Sequence, residues 1–194
     1  RLSNCKYWVR YEELRKSAKI ASNTLHAVEG YAKAGMTCED LDKFVHDTIL
    51  QQGAYPTPIG FMGFPKSVCI SVNEVLVHGI PSMRPLYDGD SLNVDVSIFY
   101  DGYHGDNNLM IQIGEVDEDV RKLIKVTQQA VYEAIKVCKP GQKFNEIGRA
   151  IETYASSNGM YVCEMFNGHG VGEQLHLPPC IHPYCNCVPN GRLT

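Results

Sequence analysis

Two carboxylates, Asp95 and Asp106, flank the dipeptide Asp101-Gly102 in the stretch DSLNVDVSIFYDGYHGDNNLMIQIG. Asp-Gly is a strong signal for a two-residue hairpin turn, and the residues on either side alternate apolar and polar. With Asp101 and Gly102 as the turn, Val94 faces Leu109 and Leu92 faces Ile111 on an apolar face. The opposite face carries Asp95, Ser97 and Asp106, with Asp95 opposite Asn108 and diagonal to Asp106. Diagonal neighbours on paired strands are about 7–8 Å apart, within reach of one or two shared cations. A one-residue slip would drive both acids into the core, so the pattern determines the register. A buried Asp must be paired, neutralised or metal-bound, and two acids within reach of each other favour the last. The same spacing on a wet sheet face is equally that of ordinary solvated acids.

Three histidines complete the candidate set. His78, in NEVLVHGIP, stands between an apolar run and a Gly-Ile-Pro turn, a common place for a structural imidazole. His169, in FNGHGVGEQLHLPP, is set among Gly168, Gly170 and Gly172, where the backbone can approach a ligand closely. His176, in the same stretch, is uninformative alone. Together with the carboxylates, these imidazoles suit a hydrolase with one or two first-row divalent metals, which activate water and polarise a carbonyl.

The elements that must position these residues come as an internal repeat. Shifted by 106 residues, KAGMTCEDLDKFVHDTILQQGA (33–54) falls on KPGQKFNEIGRAIETYASSNGM (139–160). Lys33, Gly35 and Gly53 meet Lys139, Gly141 and Gly159. Each half reads as a helix, a Lys-x-Gly turn, a second helix, a Gly stop and then strands. Leu41, Phe44, Val45, Thr48 and Ile49 recur at helical spacing. Thr37 and Asp40 fit a capping box, with Asp in place of the usual Glu. Two like halves predict a pseudo-twofold unit of α+β class with a site in the seam; a solenoid would need about three repeats or more. No linker or low-complexity tract divides the chain, so residues 1–194 are expected to form a single domain.

Composition narrows the partners. A chain of 194 residues, 44% of them hydrophobic, builds one substantial core and is short for two ordinary domains. The net charge of −4, with no basic stripe, argues against nucleic acid. No apolar run reaches the roughly 18 residues of a membrane span, and the opening RLSNCKYWVRYEEL has no signal-peptide core. The eight cysteines sit mostly singly among core-like residues, which favours free thiols in a reducing setting, the cytoplasm first, with an organelle also open. The tail CIHPYCNC (Cys180, His182, Cys185, Cys187) lacks a CxxC pair and reads as a free-thiol loop rather than a zinc site.

Three stretches, YPTPIGFMGFPKSVCISVNEVLVHGIP, LNVDVSIFYDGYHGD and GHGVGEQLHLPP, closely resemble type I methionine aminopeptidases in residue type and spacing. The resemblance runs from about Tyr11 to Pro183. It implies the duplicated pita-bread fold, an antiparallel sheet covered by two helix pairs. It also implies a monomeric metallo-exopeptidase that removes the N-terminal methionine of nascent proteins and peptides, using two divalent ions (Co, Mn, Fe or Zn). Matched motif by motif, Asp95 would chelate one metal, Asp106 would bridge both, and His169 would bind the second. His78 would contact the peptide beyond the scissile bond, and His176 would donate a hydrogen bond to the scissile carbonyl as a metal-bridging water or hydroxide attacks it. The methionine pocket would include Phe61 and Phe64 of GFMGFP, where the family commonly has tyrosines, together with Cys69 and Leu175. A more apolar pocket still suits a thioether.

The family's two further ligands are glutamates on strands beyond VPNGRLT. The fold is therefore expected to be incomplete at its C-terminal end, and the chain as written to bind metal weakly and be weakly active or inactive. Glu173 lies inside the His169 loop, at the wrong motif position to substitute. Two other readings compete. A proline-directed peptidase of the same fold would need further histidines in different motifs. A non-catalytic pita-bread module that binds peptides or proteins would be expected to lose ligands, whereas Asp95, Asp106 and His169 are all present.

Overall fold

The computed structural model describes residues 3–185 and 191–193, with side chains from residue 11 onward. The elements run α1 (Ser3–Tyr31), α2 (Cys38–Gln51), β1 (Tyr55–Pro56), a 3-10 turn (Phe61–Gly63), β2 (Cys69–Val72), β3 (Ser91–Tyr100), β4 (Tyr103–Gln112), α3 (Glu118–Val137), α4 (Asn145–Ser157), β5 (Gly168–Gly170) and β6 (Leu177–Ile181). They fall into two compact units, Arg1–Val116 with Val171–Leu175, and Asp117–Gly170 with His176–Thr194. Among the described residues, no helix is long and apolar enough to cross a membrane.

The first unit is organised on β3. Its β-branched and apolar residues Leu92, Val94, Val96 and Ile98 are fully buried on one face, as period-2 alternation requires of a half-covered strand. Asp101 (φ 47°) and Gly102 (φ 89°) take the positive-φ turn that joins β3 to β4. The pairs Leu92–Ile111, Val94–Leu109, Asp95–Asn108 and Ser97–Asp106 follow, which is the register expected from the hydrophobic pattern. β4 occupies one edge of β3 along its whole length. β1 and β2 pair antiparallel with different stretches of the other edge.

Helices α1 and α2 cover the apolar face. Ala21, Leu25 and Val28 of α1 and Leu41, Val45 and Ile49 of α2 join the strand residues in one cluster. α2 begins on the expected capping box, with the Asp40 N–H donating to Thr37 Oγ1 (3.1 Å) and the Thr37 N–H to Asp40 Oδ2 (2.8 Å). The same helix fastens the chain ahead of β2. Asp42, buried, accepts the Ser67 N–H at 2.8 Å, and His46 Nδ1 meets the Ser67 hydroxyl at 2.9 Å. Burial pushes the Asp42 carboxyl above its ordinary range.

Gly105 is where α1 crosses the hairpin most closely. A Cβ there would lie 2.3 Å from the Ser17 carbonyl oxygen, and Ser17 Oγ donates to Tyr100 O at 3.1 Å nearby. Gly105→Ala is accordingly expected to cost about 1–3 kcal/mol, the usual range for overpacking a tight contact. A urea midpoint equal to the parent's would contradict that contact.

The second unit repeats the helix pair. The 106-residue shift places α2 on 144–157, and α4 runs Asn145–Ser157. Gly35 and Gly141 have φ 88° and 85°, and Gly53 and Gly159 have φ 74° and 76°. The capping box is not repeated, since Phe144 stands at the N-cap of α4 without a side-chain bond. Burial is not repeated either: Leu25 on α1 is 5% exposed, while Val131, its counterpart on α3, is 51% exposed. In the described part of the cysteine-rich tail, Cys180 and Cys185 are not joined in a disulfide. Cys187 and most of VPNGRLT lie outside the described residues.

Candidate functional site

In the first unit the candidate residues gather on the face of the sheet turned away from the helices. Cys69 of β2, Asp95 of β3 and Asn108 of β4 form one cross-strand row. Ser97 and Asp106 form the next, placing the two carboxylates diagonally as the register requires. Both acids are half-buried rather than enclosed, because the helices take the apolar face. Ser97 Oγ donates to Asp106 Oδ1 at 2.8 Å. The nearness of the acids shows in the Cys69 thiol, which shares a row with Asp95 on the edge of β3 opposite Asp106. Burial first, then the negative charges of Asp95 and Asp106, push the Cys69 thiol up to about 12. This concentration of carboxylate charge on one strand pair is the feature a divalent cation would neutralise.

His78 is exposed and has φ 56°, a left-handed conformation. It is set by its neighbour, since Gly79 is bonded into β2: the Ile70 N–H donates to Gly79 O (2.9 Å) and the Gly79 N–H to Ser71 Oγ (3.1 Å). Phe61 and Phe64 bracket the 3-10 turn, whose ends close through Gly60 N–H to Phe64 O (2.8 Å). Leu175 is buried, in a segment held to β4 by the His104 N–H donating to Gly172 O at 2.8 Å. His104 itself is absent from the expected site, although period-2 alternation from Asp106 puts it on the same face.

The second unit brings His169 and His176 together. β5 and β6 pair antiparallel with a bulge after His169, and the two rings stand 4.4 Å apart, edge to face. His169 Nδ1 lies 3.0 Å from Gly170 O. A carbonyl only accepts, so Nδ1 is the donor here, and in a neutral ring Nε2 is the nitrogen that would bind a metal. Gly170 has a packing reason: a Cβ there would sit 2.5 Å from Pro178 O of β6. Among the described residues, no three His, Cys, Asp or Glu side chains form by themselves a group that could hold a metal ion.

The sequence matches metallopeptidase family M24 over residues 12–192. The chain belongs to that family. Within it, the likeness is to methionine aminopeptidases. The chain is 45% identical over 177 residues to the chloroplastic methionine aminopeptidase 1B of Arabidopsis thaliana, covering 91% of this chain and 48% of that protein. It is 44% identical over 173 residues to the human mitochondrial methionine aminopeptidase 1D, covering 89% of this chain and 52% of that protein. The crystal structure of methionine aminopeptidase from Rickettsia prowazekii superposes with TM-score 0.89 at 37% identity, over 91% of this chain and 71% of that one. The Thermotoga maritima enzyme gives 0.89 at 32%, over 92% and 72%. The fold is thus the pita-bread fold of these enzymes, as the repeat and the motifs predicted. Prolidase from Pyrococcus furiosus shares the fold at TM-score 0.77 and 22% identity. The chain spans about half the length of the curated relatives it matches.

Proposed function

We propose that this M24 family member is part of a metal-dependent aminopeptidase that removes N-terminal methionine from proteins and peptides. The observation that carries the reading is the diagonal pair Asp95–Asp106, whose combined charge reaches the Cys69 thiol. The donor chemistry fits divalent cations: two carboxylates from paired strands, and in His169 an imidazole with Nδ1 as the donor and Nε2 left for a metal in the neutral ring. Asp95, Asp106 and His169 would hold two such ions, of Mn, Fe, Co or Zn type. When bound, they supply Lewis-acid polarisation of the scissile carbonyl and activation of water.

The chain's own residues do the rest. Ser97 orients Asp106 through its hydroxyl. His78 meets the peptide beyond the scissile bond, and His176 donates to the carbonyl oxygen as negative charge develops on it. Phe61, Phe64, Cys69 and Leu175 form an apolar pocket for the methionine side chain. The unit acting on substrate is one monomeric catalytic domain. The Arabidopsis and human relatives are chloroplastic and mitochondrial by name, which widens the compartments open to this chain beyond the cytoplasm.

The test is metal content followed by cleavage. After dialysis against manganese the chain should retain bound metal that EDTA strips, and methionine release from Met-Ala-Ser, however slow, should stop with it. A metal content of zero, or release indifferent to EDTA, overturns the assignment.

A further inference from the structure

His104 lies on β4 two residues before Asp106, so both side chains share one face of the sheet. Its β3 partner is Phe99, and the two rings stand 4.9 Å apart. Its Nδ1 meets Thr57 Oγ1 at 3.0 Å. Thr57 follows β1, on the opposite edge of β3 from β4, and its own N–H donates to Ser97 O at 3.0 Å. Neighbouring strands are about 4.8 Å apart, so these side chains bridge roughly twice that distance across β3. The bridge closes a circuit: Thr57 holds Ser97 by its carbonyl, and the Ser97 hydroxyl holds Asp106. The main chain of His104 also holds Gly172, which leads to Leu175.

We propose that His104 is a positioning residue. Through Thr57 and Ser97 it sets the Asp106 carboxylate for a divalent cation, and through its backbone it sets the segment that carries Leu175. Thr57 is 47 positions away in sequence, so the strap exists only in the folded sheet. The hydrogen bond carries the role, and the ring's apolar contact with Phe99 is secondary. This inference rests on the metal site proposed at Asp95 and Asp106.

Two substitutions separate hydrogen bond from ring. His104→Phe keeps a ring against Phe99 and removes the bond to Thr57. His104→Asn loses the ring but keeps a polar atom at the same bond distance from Cβ as Nδ1. Amide hydrogen exchange at positions 57 and 104 is read in the metal-free chain, and the Mn2+ dissociation constant is read by calorimetry. His104→Phe should exchange about tenfold faster at both amides and bind Mn2+ about tenfold more weakly, the lower end for outer partners of metal ligands. His104→Asn should restore both to within about threefold of the parent. A Phe variant with parental exchange overturns the strap, as does an Asn variant as impaired as Phe. Faster exchange in the Phe variant with an unchanged Mn2+ constant overturns the link to Asp106. If the parent chain takes no Mn2+, the metal-site reading fails and the cation half of this inference fails with it. Exchange at 57 and 104 then still decides the positioning half.

Discussion

Asp106→Asn should weaken Mn2+ binding to this chain by more than about a hundredfold. Even outer partners of metal ligands are worth about 10–100-fold in affinity, and the carboxylate proposed to hold the ion itself is worth more. The change is close to isosteric, and the amide oxygen still accepts the Ser97 hydroxyl that meets Asp106 Oδ1 at 2.8 Å. Stability should therefore move by less than about 0.5 kcal/mol, as for substitutions away from the core. A second readout needs no metal. The Cys69 thiol is pushed up to about 12, by burial first and then by Asp95 and Asp106. In the double variant Asp95→Asn, Asp106→Asn the two charge contributions vanish and burial remains. The thiol pKa should fall, yet stay above its ordinary value. Alkylation by iodoacetamide follows the thiolate, so its rate near pH 9 should rise in the double variant and its pH profile shift to lower pH. Parental Mn2+ affinity in Asp106→Asn would remove Asp106 from the metal site. An unshifted alkylation profile would show that the acids do not act on Cys69.

Arg84→Met should destabilise the first unit by about 3 kcal/mol at neutral pH. Asp90 is 5% exposed where the chain enters β3. Its carboxylate accepts two guanidinium hydrogen bonds from Arg84 (2.7 and 3.0 Å), the Tyr87 N–H (2.8 Å) and Asn73 Nδ2 (2.8 Å). Removing one partner of a buried pair costs about 3–5 kcal/mol, because the other charge is left buried. The Arg84 side chain is 39% exposed, which puts the expectation at the lower end. The pH dependence has a definite sign. The Arg84 guanidinium, ahead of the Tyr87 and Asn73 hydrogen bonds, holds the Asp90 carboxyl well below the usual carboxylate range. A depressed acid contributes stability that is complete above its unfolded pKa, about 3.9, and is lost as the pH falls toward its folded value. The gap between parent and Arg84→Met should be full at pH 7 and narrow steadily below about pH 4. Urea titrations at pH 7 and at acid pH read it directly. An equal gap at both would mean that Arg84 acts through its packing on the Tyr87 ring, 5.3 Å away, and not through charge.

Both predictions concern carboxylates, and the two were unequally visible in the sequence. Asp95 and Asp106 announce themselves because a strand has period 2 and Asp-Gly specifies the turn. Once the apolar set Leu92, Val94, Leu109 and Ile111 chooses a face, the acids have only the other. Asp90 and Asp42 belong to no such pattern. The Ser67 N–H reaches Asp42 from 25 positions away and Asn73 reaches Asp90 from 17, while the Arg84 fork, six positions from Asp90, follows no period that a strand or helix would mark. His104 is intermediate: alternation places it on the right face, but its hydrogen-bond partner comes from across β3.

The sequence by itself determined whatever depends on neighbours a few positions apart. That includes the hairpin register, the Thr37–Asp40 capping box, the helix–Gly–helix repeat and the motif spacings that mark family M24. Local dihedral preference and side-chain periodicity act within one or two turns of chain, so they leave a readable trace. The tertiary structure decided what depends on which surfaces meet. Leu25 and Val131 occupy matching places in the repeat, yet one is buried and the other half exposed. Gly170 is required by Pro178 across the β5–β6 pair, and His104 reaches Thr57 only because β1 and β4 flank the same strand. Burial and long-range hydrogen bonds are properties of pairs of distant segments, and no period in the chain encodes them.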